Sequence, residues 1–139
     1  MTTQTEQHKT IARRYFEDFW NRRDSTALGE LVNEDVVGHV ADVTIRGADA
    51  LRQRLNGLYA IYSEPHFTIE DQIAEGDKVL TRWAFRGTHS GDYMGAKATG
   101  KQVTATGMNL FRFANGKIAE AWLNADDLGE LQQLGVIQK

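Results

Sequence analysis

The 139-residue sequence has no cysteine. That excludes a disulfide framework, a thiolate zinc site, an iron–sulfur cluster and a cysteine nucleophile, and it suits a reducing cytoplasm. No apolar run approaches the roughly 20 residues that cross a bilayer, so no membrane partner is expected. The opening MTTQTEQHKTIARRYF is polar and runs straight into a helical pattern, without the charged start and apolar stretch of a signal peptide. A basic excess is lacking too. The formal net charge is −3, and the Lys and Arg residues are scattered, leaving no field to draw in a polyphosphate or nucleic acid.

Several familiar sites are also missing. The four histidines, His8, His39, His66 and His89, show no close metal-ligand spacing, which argues against a metal. There is no Walker A loop and no strand-coupled G-x-G-x-x-G, so nucleotide cofactors are not expected. GTHSG sets a serine beside a histidine but is not G-x-S-x-G. Acid–base chemistry by carboxylate and imidazole remains.

The length predicts a single domain over residues 1–139, and 41% hydrophobic residues with three Trp, four Tyr and six Phe supply a core. Ile11, Ala12, Tyr15, Phe16, Phe19 and Trp20 follow the i, i+3, i+4 spacing of an amphipathic helix over Thr5 to Asn21. A short helix is predicted from Ser25 to Val32, and another from Gly47 to Tyr62, ended by Pro65, the sole proline. DVVGHVADVTIRG between them reads as irregular chain or short strand.

After Phe67 the period becomes two. HFTIEDQIAEGDKVLTRWAFRGTH predicts a hairpin turning at Glu75-Gly76-Asp77, and KQVTATGMNLFRFANGKIAEAWLNAD a second one turning at Asn115-Gly116, a pair suited to a type I′ turn. Counting outward from that turn pairs Ala114 with Lys117, Phe111 with Glu120, Asn109 with Trp122 and Ala105 with Asp126, unless a bulge shifts the register. Asn109, Phe111, Trp122 and Asp126 then share one face, mixing aromatics with polar groups as small-molecule pockets do. Helices first and antiparallel strands later make the class α+β.

Two adjacent aspartates follow the last strand. Asp127-Leu-Gly-Glu130 has capping-box spacing, which gives Asp127 a structural role. The register sends Asp126 to the pocket, where a carboxylate is a base for a carbon acid; the other reading makes Asp126 the cap. His89, on the parity of Trp83 and Phe85, is placed to reach the same cavity or to bind a backbone carbonyl, and His39 is a similar case. Asn109 is the unusual polar choice on its face. Arg82 and Arg112 alternate to the other side, where ion pairs are expected.

TRWAFRGTHSGDYMGAKATGKQV followed by FRFANGKIAEAWLNADDLGELQQLG resembles the SnoaL-like polyketide cyclase (ester cyclase) family of the nuclear transport factor 2-like superfamily. Arg82-Trp83, Gly87-Thr88-His89, Thr99-Gly100-Lys101, Gly116-Lys117-Ile118, Glu120-x-Trp122 and Asp126 carry the resemblance; Ala98 stands where the family commonly has proline.

The resemblance implies a cone-shaped, strongly curved antiparallel sheet packed against about three helices, of cystatin-like form, and a homodimer through the outer sheet face. It implies ring closure by intramolecular aldol reaction without metal or cofactor, on a small hydrophobic or aromatic substrate. Asp126 would be the acid/base, with His89, Asn109 and His39 bonding the oxyanion and Trp83, Trp122 and Tyr15 stacking on the rings. A non-catalytic binding protein, or a lyase, isomerase or hydrolase on this scaffold, is the alternative.

Overall fold

The structure, a computed structural model, describes residues 3–138. Thr3 caps α1 (Gln4–Arg14) through a reciprocal capping box with Glu6. The helix continues without a break as a π-helical segment, Tyr15–Asn21. Wider i→i+5 turns of this kind concentrate at functional sites, and here Tyr15, Phe16 and Phe19 are all buried from one segment. Asn21 then clamps the chain to a strand: its amide donates to the Phe67 carbonyl and accepts from the Phe67 N–H, both at 2.8 Å.

The second predicted helix is shorter than the sequence suggests, α2 (Leu28–Leu31), because Asp24 first organises a turn by accepting from the N–H groups of Thr26 and Ala27. The stretch read as irregular is two strands, β1 (Val32–Val40) and β2 (Val43–Arg46), and α3 (Ala48–Ile61) follows. Pro65 does not end that helix. The chain enters β3 (Tyr62–Glu75) three residues earlier, and Pro65 lies in a bulge between Ser63 and His66, where a missing N–H costs no ladder bond.

β4 (Lys78–His89), β5 (Gln102–Ala114), β6 (Lys117–Ala125) and α4 (Asp127–Leu134) complete the chain. The sheet order is β2-β1-β6-β5-β4-β3, antiparallel throughout except where β1 runs parallel to β6. This is the expected α+β class, a curved sheet with helices packed against it. Asn115 and Gly116 both have positive φ, 56° and 78°, as the predicted I′ turn requires.

From that turn the pairing runs as counted for only two steps. Ala114 faces Lys117 and Phe113 faces Ile118, but Arg112 faces Glu120, so Ala119 is an extra residue on β6. One inserted residue inverts every later side chain. Ala121, Leu123 and Ala125 face inward with Asn109 and Phe111, while Trp122 pairs with Leu110 on the outer face. Arg82 and Arg112 do lie outside, paired with Asp71 and Glu120.

Candidate functional site

Between the helices and the concave face of the sheet lies a cavity of about 500 Å³. Its apolar wall comes from Tyr15, Phe16 and Trp20 of the amino-terminal helix and from Phe67 and Trp83 of the sheet, with Ala121, Leu123 and Ala125 of β6 leaving the space open. Tyr15 and Trp83, the residues expected to stack on a flat ligand, are both among the lining residues. Asn109 lines the same cavity at 6% exposure, and its Oδ1 accepts from the Trp83 indole N–H at 2.8 Å.

The carboxylates are arranged differently from the sequence reading. Asp126 is the N-cap of α4, accepting from the Gly129 N–H at 2.9 Å, and its own N–H pairs with the Thr106 carbonyl on the outer side of the sheet. It borders a separate outer groove with Thr104, Thr106 and Gln133, not the cavity. The Ala119 bulge is the reason, since it moves Asp126 from the side of Ala105 to that of Thr106. The capping role therefore belongs to Asp126. Gly129 sits tight against the cap: a Cβ there would lie 2.3 Å from Asp126 Oδ2, so a larger residue would require the carboxylate to shift.

Once Asp126 is the cap, Asp127 and Glu130 are free to face the cavity, and both line it. Glu130 is partly buried and Tyr62 Oη donates to its Oε2 at 2.6 Å. Its other oxygen has no protein donor among the described residues. Burial first, and the charge of Asp127 second, hold the Glu130 carboxyl above its ordinary value against the opposing Tyr62 bond. Burial and Glu130 push the Tyr62 phenol upward in turn, and Tyr93 at the rim shifts the same way for the same two reasons. Tyr62 is thus a donor that stays protonated.

Of the other expected site residues, Trp122 and His89 are turned elsewhere and His39 is only at the border. Trp122 is on the outer face, stacked on His39 with ring centroids 5.5 Å apart. His39 borders the cavity, but its ring is committed to Trp122 and its Nε2 to Glu120 Oε2 at 2.7 Å, a bond that, with Arg112, holds the Glu120 carboxyl low. His89 is fully buried behind Tyr62 and is not part of the cavity wall. Its Nδ1 accepts from the Thr99 N–H at 3.2 Å and meets Thr99 Oγ1 at 3.0 Å, fastening the segment that leads from β4 to β5. Among the described residues, no three His, Asp or Glu side chains converge as a metal would need, and no helix is long and apolar enough to cross a membrane.

The cap assignment has a direct test. Asp126→Ala should cost about 1 kcal/mol in urea unfolding, whereas Asp126→Asn, an equally good cap, should be near neutral. Neither should weaken ligand binding or turnover. A dead Asp126→Asn enzyme of normal stability would return the chemistry to Asp126.

Comparison with known proteins places these features in context. The family model described as SnoaL-like polyketide cyclase matches residues 10–134. Aklanonic acid methyl ester cyclase DnrD of Streptomyces peucetius is 30% identical over 107 residues, which are 76% of this chain and 72% of that protein. The crystal structure of IdmH from Streptomyces antibioticus superposes with a TM-score of 0.82 at 29% identity, covering 93% of this chain and 99% of that one. A protein of Jannaschia sp. CCS1 reaches a TM-score of 0.89 over 99% of this chain and 97% of its own at 17% identity, a likeness of fold alone.

Proposed function

The chain belongs to the SnoaL-like polyketide cyclase family, and from that premise we propose that it closes a ring by intramolecular aldol chemistry on a polyketide-like, enolisable substrate, without a cofactor. The observation that carries the reading is the Glu130 carboxyl: inside an aromatic cavity, held through one oxygen by Tyr62, with no protein donor to the other oxygen among the described residues. Such a group is a proton acceptor for a carbon acid, and its raised affinity for the proton matches it to that task.

In the proposed reaction Glu130 takes the proton of an acidic C–H. The electron pair becomes an enolate whose oxygen meets the Asn109 amide. The enolate carbon attacks a carbonyl within the same molecule; a C–C bond forms, the carbonyl π pair moves to its oxygen, and that oxygen receives the proton carried by Glu130. The product is an isomer of the substrate, so no oxidant or reductant enters. Tyr15, Phe16 and Trp83 hold the chain folded on itself, which supplies the proximity that an intramolecular attack needs.

The test is incubation with a polyketide methyl ester that carries an acidic methylene within reach of a ketone. The expected result is a cyclised product of unchanged mass, formed faster than in buffer. Saturable binding by tryptophan quenching without any conversion would instead make this a binding protein.

A further inference from the structure

The amide of Asn109 is oriented by a neighbour with a single capability. An indole Nε1–H donates and cannot accept, so the amide atom 2.8 Å from it is the oxygen. The Nδ2 amino group is thereby directed away from Trp83. It has no protein acceptor among the described residues, and it is not sealed in: the buried side-chain atoms left unpaired there are His8 Nδ1 and His89 Nε2. Nδ2 is therefore reached from the cavity that Asn109 lines.

Trp83 is itself held in place. It pairs with Gly107 across β4 and β5, and Gly107 shares its face with Asn109, two residues along the strand. A Cβ on Gly107 would come within 2.3 Å of the indole Cζ2, so the ring lies where any side chain at 107 would go. Phe67 meets the indole edge-on at 5.0 Å, and Phe16 packs at 6.4 Å. Trp83 keeps only 5% exposure. Rotating the indole would collide with these rings.

We propose that Trp83 is a positioning residue that locks Asn109 as a donor-only contact, making this wall of the cavity a subsite for a substrate oxygen that carries negative charge. Gly107 belongs to the device because only glycine leaves room for the locked indole. The inference rests on reading the cavity as a site for an enolisable substrate, and it adds a selectivity: an enolate or phenolate oxygen is preferred over its protonated form. Without the indole N–H the amide turns freely and presents its oxygen as readily as its nitrogen.

The probe is 2-naphthol, a planar aromatic whose neutral and anionic forms absorb differently, with naphthalene as a control that has no oxygen. In the wild type, bound 2-naphthol should ionise at a lower pH than in Trp83→Phe, by about one unit, equivalent to a tenfold change in the naphtholate-to-naphthol affinity ratio. Naphthalene affinity should change far less. Asn109→Asp keeps the shape and the acceptor for Trp83 but replaces the donor by an anion, and should raise the pH at which bound 2-naphthol ionises by at least as much. If Trp83→Phe does not fold, Gly107→Ala, which drives a Cβ into the indole and displaces it from the amide, takes its place with the same expected shift, and equal ionisation there overturns the proposal.

Equal ionisation in wild type and Trp83→Phe, a parallel loss of naphthol and naphthalene binding, unchanged ionisation in Asn109→Asp, or no preference for naphtholate in the wild type each overturn the proposal. The readout is ligand ionisation and not turnover. A protein that prefers naphtholate in this way yet closes no ring would uphold the donor subsite and overturn the cyclase reading.

Discussion

Glu130→Gln is expected to lower turnover by about 10²- to 10⁴-fold, the usual contribution of a positioned general base, while ligand affinity stays within a few-fold. The amide fills the same space and still accepts from Tyr62, so the cavity keeps its shape and loses only the proton acceptor. The wild-type rate should rise with pH through an acidic limb displaced upward from the ordinary glutamate value, because Glu130 must be ionised to act and burial with Asp127 raises the pH at which that happens. Stability should move the opposite way. Between the ionisation of the unfolded side chain, near pH 4.3, and that of the folded one, the folded state retains a proton that the unfolded state has lost. Stability is therefore fully present below that window and falls as pH rises across it. In Glu130→Gln both the acidic limb and this decline should be absent. A variant that retains wild-type turnover, with the acidic limb intact, would remove Glu130 from the chemistry.

The difference between Glu130 and Asp126 shows where sequence reasoning reached and where it stopped. Elements with strong periodicity were legible: the aromatic stripe Tyr15, Phe16, Phe19, the two hairpins, the Asn115-Gly116 turn, and the inward placement of Asn109, Phe111 and Trp83. These follow from spacing and turn chemistry, which are local. The bulge at Ala119 is not, because nothing in IAEAWLNA marks an extra residue. The usual rule even misleads here, since it sends the large Trp122 inward and the alanines outward. A strand that lines a cavity inverts the rule: its inward positions, Ala121, Leu123 and Ala125, must be modest in size to leave the cavity open, and Trp122 finds its burial against His39 outside. One misplaced residue then exchanged the roles of two adjacent aspartates and hid Glu130 in a capping box that does not form. The legible clue was that Asp126 is as good a capping residue as Asp127, with the Gly129 N–H three residues on to donate to it.

Phe111→Ala should produce the largest loss of stability, about 3–5 kcal/mol in urea unfolding and a fall in melting temperature on the order of 10–20 °C. Phe111 is fully buried, and its ring lies 5.2 Å from Tyr15 and 6.0 Å from Phe16, two of the residues that face the cavity from the helical side. It is the second row behind the wall. Removing it deletes the transfer energy of a phenyl ring and leaves a void that the surrounding rings fill only in part. Against a typical total of roughly 5–15 kcal/mol for a folded domain, that is a large share. The functional consequence follows from the same geometry: Tyr15 and Phe16 lose their support and tilt toward the void, so affinity for a flat ligand should weaken even at temperatures where the variant remains folded. Ile73→Ala, on an outer strand position with 66% exposure, is the matched control and should stay within about 0.5 kcal/mol of wild type. Equal losses in the two variants would mean that Phe111 does not join the helices to the sheet. A Phe111→Ala protein that is destabilised yet binds ligand as wild type would show instead that the cavity wall stands without it.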